Sequence, residues 1–289
     1  MNELITTIKN LSRPLEPRPT GLPLRLEALD GVETVLFDLY GTLLISGSGD
    51  VGTAAAVDSA EALTRSLIVA GYEGDPERAG QLGPELIRQE IERRHETART
   101  DGIAFPEVEI SRVWQKIMEE FQKLDILKPD ESPDKILRLA VEYECRINPV
   151  WPMPGAAETI EFFKERGLRL GLVSNAQFYT PLIMKALFEK TIEKLGFDPA
   201  LCVWSYKALR AKPSIELFQT LEAETDLSKA VYVGNDMLND IWTASQAGCR
   251  TVLFAGDQRS LRLREEDKRC KKLQPDAVVD DLKQITELV

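Results

Sequence analysis

The chain has 289 residues, 43% hydrophobic and 29% charged, enough apolar material for a packed core and too much for global disorder. A formal net charge of −11 argues against a nucleic-acid or anionic-membrane partner, since both require a basic face, but it leaves room for an anionic small molecule held by local cations or a metal. Cys145, Cys202, Cys249 and Cys270 have no CxxC spacing, so zinc and dithiol motifs are excluded and reduced thiols of a cytoplasmic protein are expected.

The N-terminal MNELITTIKNLSRPLEP lacks the apolar segment of a secretory signal, and no run reaches the length of a membrane span. Residues 1–30 read as an arm. A short amphipathic stretch around Leu4 to Leu11 precedes Pro14, Pro17, Pro19 and Pro23, a density that favours extended backbone on the domain surface. Glu33 to Asp38 reads as a buried strand, and Ile45 to Gly52, ISGSGDVG, as a flexible loop. From Thr53 to Arg146 the pattern predicts helices and no strand, over roughly Ala54–Ala70, Pro84–Thr100, Val108–Leu124 and Pro133–Arg146. Pro84 and Pro133 suit first-turn positions, and Asn148 to Gly155, NPVWPMPG, reads as the return linker.

After Gly155 helix and strand alternate. GAAETIEFFKERG, TPLIMKALFEKTIEKLG, PSIELFQTLEAE and LNDIWTASQAG read as helices; LRLGLVSN, CVWSY, KAVYVGND and CRTVLFAG read as strands. Such alternation predicts an α/β fold, a Rossmann-like three-layer core with a mostly parallel sheet. The expected division is an arm over 1–30, an α/β core over 31–47 and 152–289, and an all-helical domain over 48–151.

Ligands of open parallel sheets bind at the carboxyl ends of the strands. There the chain places Asp38-Leu39-Tyr40-Gly41-Thr42, Ser174-Asn175, Lys212-Pro213 and Asn235-Asp236 with Asn239-Asp240. Singly, an Asp after a strand is a turn residue, Ser174 a helix cap and Lys212 a solvated lysine. Their order and shared position point instead to one site.

In that order FDLYGTL, LVSN, AKP and VGNDMLNDI resemble the four motifs of the haloacid dehalogenase-like hydrolase superfamily, over about two thirds of the chain. The helical segment after the first motif resembles that family's all-helical cap. The resemblance implies that Asp38 is a nucleophile forming a covalent aspartyl intermediate, with Thr42 beside it and Lys212 neutralising charge. It implies Ser174, Asn175 and Tyr40 around a phosphate, and Mg²⁺ held by Asp38, the carbonyl of Tyr40 and motif-four oxygens from Asn235, Asp236 or Asp240. Asp240 is equally a partner for Lys212. The implied activity is Mg²⁺-dependent phosphohydrolysis of a small phosphorylated substrate.

Two positions depart from the phosphatase pattern. Tyr40 stands where these phosphatases carry a second Asp that protonates the leaving group, and a phenol, with a pKa of about 10, is a poor acid at neutral pH. Asn235 stands where a charged ligand is usual. The family's 2-haloacid dehalogenases carry DxYGT and expel a halide that needs no proton, so a metal-independent dehalogenase competes, and a ligand-binding protein without turnover is a third reading. The single histidine, His95, is either a solvated residue of a charged helix or a cap residue reaching the cleft. Trp114, Trp151, Trp204 and Trp242 read as core. Gly47-Ser48-Gly49-Asp50-Val51-Gly52 matches GxGxxG but lies nine residues past the strand end, so it reads as a hinge into the cap and not as a dinucleotide site.

Overall fold

The computed structural model describes residues 1–48, 56–130 and 132–289, and Gly49 to Gly52 of the expected hinge lie outside the described residues. Strand β1 (Thr34–Phe37) leads through Asp38 into a short β2 (Leu44–Ser46), which pairs antiparallel with β3 (Val150–Pro152). Ile45 and Ser46, expected in a loop, and Val150 to Pro152, expected in a linker, therefore form a two-stranded ribbon, a pairing across more than a hundred residues that no local pattern announces.

The other strands, β4 (Arg169–Ser174), β5 (Phe197–Trp204), β6 (Ala230–Gly234), β7 (Arg250–Phe254) and β8 (Ala277–Val279), join β1 in one parallel sheet of order β5-β4-β1-β6-β7-β8. All four residues of β1 are buried, as a parallel strand covered on both faces requires. Alternation sends Val35 and Phe37 to one face, where Phe37 meets the rings of Phe163 and Phe197 at 6.5 and 6.4 Å, and Leu36 to the other, with Val173, Phe218 and Tyr232. The chain winds from β1 out to β5, then returns and winds the other way from β6 to β8. The carboxyl end of β1 is thus the topological switch point of the sheet, the place where two outgoing connections leave a crevice.

At the N-terminus α1 (Asn2–Leu11) buries Leu4 and Ile8, and the proline-rich segment after it follows the sheet edge, with Arg25 bridging to Val278 of β8. Between β2 and β3 stand α2 (Ala56–Ala70), α3 (Pro76–Thr100), α4 (Ile110–Lys123) and α5 (Pro133–Ile147), packed around Leu63, Leu67, Ile117, Phe121 and Leu139. Helix α3 starts eight residues earlier than expected: Asp75 caps it by accepting from the Arg78 amide, and Pro84 lies inside it. Of the later helices, α6 (Ala156–Glu165) and α7 (Thr180–Phe188) are regular, whereas PSIELFQTLEAE is helical only over Glu216–Gln219 before breaking into turns.

The segment between α3 and α4 reaches back to the sheet. Gln177 clamps it, its side-chain oxygen accepting from Ile110 N at 2.9 Å and its Nε2 donating to the Val108 carbonyl at 2.8 Å. The amide of Ala211 donates to the Phe105 carbonyl at 2.9 Å. Helices α2–α5 are therefore tied to the sheet at two ends, by the β2–β3 ribbon and by this loop, and a cavity of about 680 Å³ lies between. Among the described residues no helix is long and apolar enough to cross a membrane.

Candidate active site

Asp38 follows β1 directly, so its backbone is held by the sheet: its amide donates to the Val233 carbonyl at 2.9 Å. Its carboxylate accepts from Lys212 Nζ at 2.8 Å. The same ammonium donates to Asp240 Oδ1 at 2.5 Å and to the Tyr232 hydroxyl at 2.9 Å. Tyr232 in turn donates to the Val173 carbonyl at 2.7 Å, which ties β6 to β4 across the floor of the site. Lys212 and Asp240 are 3% and 1% exposed, so neither charge is stabilised by bulk water. Burial opposes the ammonium, but Asp240 and Asp38 outweigh it and raise the Lys212 pKa above its ordinary value. Burial pushes the Asp240 carboxyl up against the pull of Lys212, with Asp38 and Asp236 adding repulsion.

Several residues hold these groups in place. Asn175 accepts from the Lys212 amide at 2.8 Å and donates to the Lys212 carbonyl at 3.4 Å, so both ends of its side chain are engaged with that main chain. Asp240 Oδ2 accepts from the Asp236 amide at 2.9 Å. Thr42 is buried and donates to Asn235 Oδ1 at 3.1 Å. Gly41 has φ +85°, and a Cβ there would lie 2.6 Å from Ser260 and 2.8 Å from Asn235, so only glycine lets the first loop lie against the fourth. The Tyr40 hydroxyl is 2.9 Å from Thr180 Oγ1, and burial raises its pKa far above the ordinary phenol value. It cannot act as an acid near neutral pH.

Strand-end reasoning stopped one strand short. The segment after β7 carries Ser260, Arg262 and Arg264 beside the fourth motif. The Ser260 carbonyl accepts from Asn235 Nδ2 at 2.6 Å, the Arg262 amide donates to the Asn235 carbonyl at 3.0 Å, and Arg264 Nη2 lies 2.6 Å from Asp236 Oδ2. Ser260 and Arg262 line the cavity together with Asp38, Tyr40, Lys212 and Asn235. The rule that located the other groups applies equally to CRTVLFAG and the residues that follow it.

The site carries groups of the kind that bind an anion and, with one charged donor, oxygens of the kind that bind a cation. The hydroxyls of Ser174 and Ser260 are buried and have no hydrogen-bond partner among the described residues, the state expected of donors waiting for an anion. One oxygen of Asp38 and the carbonyl of Tyr40 accept no hydrogen bond from the described residues, and Asn235 adds an amide oxygen. Asp236 and Asp240 are otherwise engaged: Asp236 binds Arg264 and caps the next helix through the amides of Leu238 and Asn239, and both Asp240 oxygens have partners. Among the described residues no three His, Cys, Asp or Glu side chains converge as a metal cluster, so any cation here relies on neutral oxygens beside Asp38. His95 does not line the cavity; burial lowers its pKa, and its Nε2 is buried without a partner among the described residues.

Comparison with known proteins extends this geometry. A family model described as haloacid dehalogenase-like hydrolase matches residues 32–248. A ribulose-1,5-bisphosphate 5-phosphatase from Halopiger xanaduensis is 28% identical over 261 residues, covering 88% of this chain and 98% of the relative. Among solved structures, a 2-haloacid dehalogenase from Pseudomonas syringae pv. Tomato DC3000 superposes with a TM-score of 0.57 at 22% identity, covering 89% of this chain and 97% of the other. The last likeness bears on fold alone.

Proposed function

Because the chain belongs to the haloacid dehalogenase-like hydrolase family, we propose that it is a phosphohydrolase that uses Asp38 as nucleophile on a small phosphate ester. The observation that carries the reading is the placement of Lys212 Nζ between Asp38 and Asp240 at the switch point of the sheet, under the cavity between sheet and helices. A carboxylate attacks an anionic phosphate only where positive charge is preorganised, and Lys212 is buried, oriented and held protonated there. An Asp38 oxygen forms a bond to phosphorus while the ester P–O bond breaks and the leaving oxygen takes the electron pair; water then hydrolyses the aspartyl phosphate and frees inorganic phosphate. The hydroxyls of Ser174 and Ser260 and the side chain of Arg262 are the groups we assign to the phosphate oxygens, with Asn175 and Asp240 positioning Lys212.

Asp38, the Tyr40 carbonyl and Asn235 would hold Mg²⁺. Such an ion supplies positive charge that draws the carboxylate and the phosphate together. Helices α2–α5 form the cap, and the four cysteines, all free thiols, suit a cytoplasmic setting.

The test is phosphate release from an aryl phosphate with Mg²⁺ and with EDTA, paired with mass spectrometry of the quenched protein. Release with Mg²⁺ and a mass increment on the peptide carrying Asp38 are expected. A second reading, hydrolysis of a 2-haloacid, is favoured by Tyr40 at the acid position and by the capture of Asp236 by Arg264. Halide release from 2-chloropropionate with no phosphate release from any ester would replace the first reading with the second.

A further inference from the structure

The cavity above Asp38 has two unlike ends. Its floor carries the polar groups of the strand ends, with the cations Lys212 and Arg262. The facing side, from helices α2–α5, presents Ile87, Ile91, Ile110 and Trp114, with Gln81 and Tyr143 among its neutral polar groups. Among the described residues, the lining cation apart from Lys212 and Arg262 is Arg88, and it is paired with Glu85 through bonds of 2.9 and 2.6 Å. Three lining carboxyls belong to this side: Glu85, Glu107 and Glu144. Glu107 accepts from Ser205 Oγ and the Val108 amide, and Glu144 from Tyr179 and Asn148, so both are fixed in place.

From this division we infer that the site takes a phosphate monoester with an apolar, aromatic-sized body, and that it discriminates against sugar bisphosphates. The inference rests on the phosphohydrolase reading and names its substrate class. One phosphate is matched by the floor. A second dianion would have to stand against alkyl side chains and carboxyls, with Arg88, already paired with Glu85, as the cation on that side among the described residues, so its lost hydration is poorly replaced. An aromatic body, by contrast, removes apolar surface on both sides from water. The geometry agrees: the Tyr40 hydroxyl is engaged with Thr180 Oγ1 at 2.9 Å, and an aryl oxide, which needs no proton to leave, departs more readily than an alkoxide.

The experiment compares kcat/KM of the full chain for phenyl phosphate, 2-naphthyl phosphate, glycerol 3-phosphate and ribulose 1,5-bisphosphate. Phenol and 2-naphthol differ little in acidity, so the naphthyl-to-phenyl ratio reports the wall and not the leaving group. We expect naphthyl to exceed phenyl by about tenfold, and the bisphosphate to fall at least a hundredfold below naphthyl. Ile91→Ala should reduce the naphthyl-to-phenyl ratio, and Ile91→Lys should raise the bisphosphate-to-naphthyl ratio at least tenfold, with circular dichroism melts confirming that both variants fold. Phosphate release that favours the bisphosphate, or ratios indifferent to residue 91, would overturn the substrate assignment alone. Release from none of the four esters would overturn the phosphohydrolase reading beneath it.

Discussion

Lys212 Nζ lies 2.8 Å from Asp38 Oδ1, and both side chains are nearly closed to solvent, at 3% and 9% exposure. Because the ammonium also holds Asp240 at 2.5 Å, the two carboxylates are not equivalent to the fold. In Asp38→Asn, Lys212 keeps a charged partner; in Lys212→Met, two buried acids face each other with none.

The first prediction follows from that asymmetry. Asp38→Asn should lower kcat by at least about a thousandfold while the unfolding midpoint in urea moves little. Lys212→Met should lose activity as well and also lose about 3–5 kcal/mol of stability, as removal of one member of a buried ion pair does. Equal stability losses in the two variants would mean that Lys212 is bound mainly by Asp38 and that the triad is misread.

A second prediction concerns Gly234, the last residue of β6. A Cβ there would lie 2.4 Å from both Cβ and Cγ of Asp240. Gly234→Ala should push Asp240 off Lys212, costing about 1–3 kcal/mol and at least tenfold in kcat/KM. Gly248→Ala is the control: its φ is +90° and nothing lies within 4 Å of the new methyl, so it should cost about 1–2 kcal/mol of backbone strain and no activity.

The third concerns the acid position. In Tyr40→Asp a carboxyl replaces the phenol beside Asp38, and alkyl phosphate turnover should rise relative to aryl phosphate turnover. Tyr40→Phe removes only the contact with Thr180 and should change the aryl rate less than fivefold, at about 1 kcal/mol of stability. A large loss of aryl rate in Tyr40→Phe would show that the hydroxyl takes part in the reaction.

Metal affinity gives the fourth. Asn235→Asp adds a charged oxygen to a donor set that otherwise has one, and calorimetry should show Mg²⁺ binding at least tenfold tighter. In EDTA the variant should be less stable by about 1–3 kcal/mol, because a carboxylate oxygen would face the Ser260 carbonyl to which Nδ2 now donates at 2.6 Å. Unchanged Mg²⁺ affinity would remove Asn235 from the ligand set.

The fifth is a pH dependence of stability. Glu144 on α5 is buried, and burial raises its carboxyl pKa, opposed by the hydrogen bonds from Tyr179 and Asn148. The folded state therefore holds this proton more tightly than the unfolded chain. The contribution to stability is full below the unfolded value of about 4.3 and is lost as pH rises through the higher folded value. Melting temperatures from pH 4 to 8 should accordingly decline less steeply in Glu144→Gln than in the parent chain. Parallel profiles would mean that Glu144 ionises as freely folded as unfolded.

Much of the candidate site was legible because its signals are local. A run of strand formers ending in Asp38-Leu39-Tyr40-Gly41-Thr42 is a pattern within ten residues, and strand ends in an alternating chain share one edge of the sheet by topology alone. The segment after β7 was legible by the same rule but draws no notice: Ser260, Arg262 and Arg264 stand among charges of both signs and look like any surface loop. The roles open to Asn175 and Asp236 were not legible, because their partners lie 37 and 28 residues away. Ile91 and Trp114 show the limit of periodicity, which marks a helical face as apolar without saying whether it meets another helix or an empty cavity.

The amino-acid sequence by itself determined the family, the parallel sheet and the edge at which chemistry collects, since hydrophobic period and turn residues act over a few positions. Tertiary packing alone settles that Lys212 bridges Asp38 and Asp240, that Arg264 withdraws Asp236, and that apolar side chains of α3 and α4 face the site. Those outcomes depend on which distant side chains burial brings within 3 Å, and charge pairs in a desolvated interior are settled by that geometry alone.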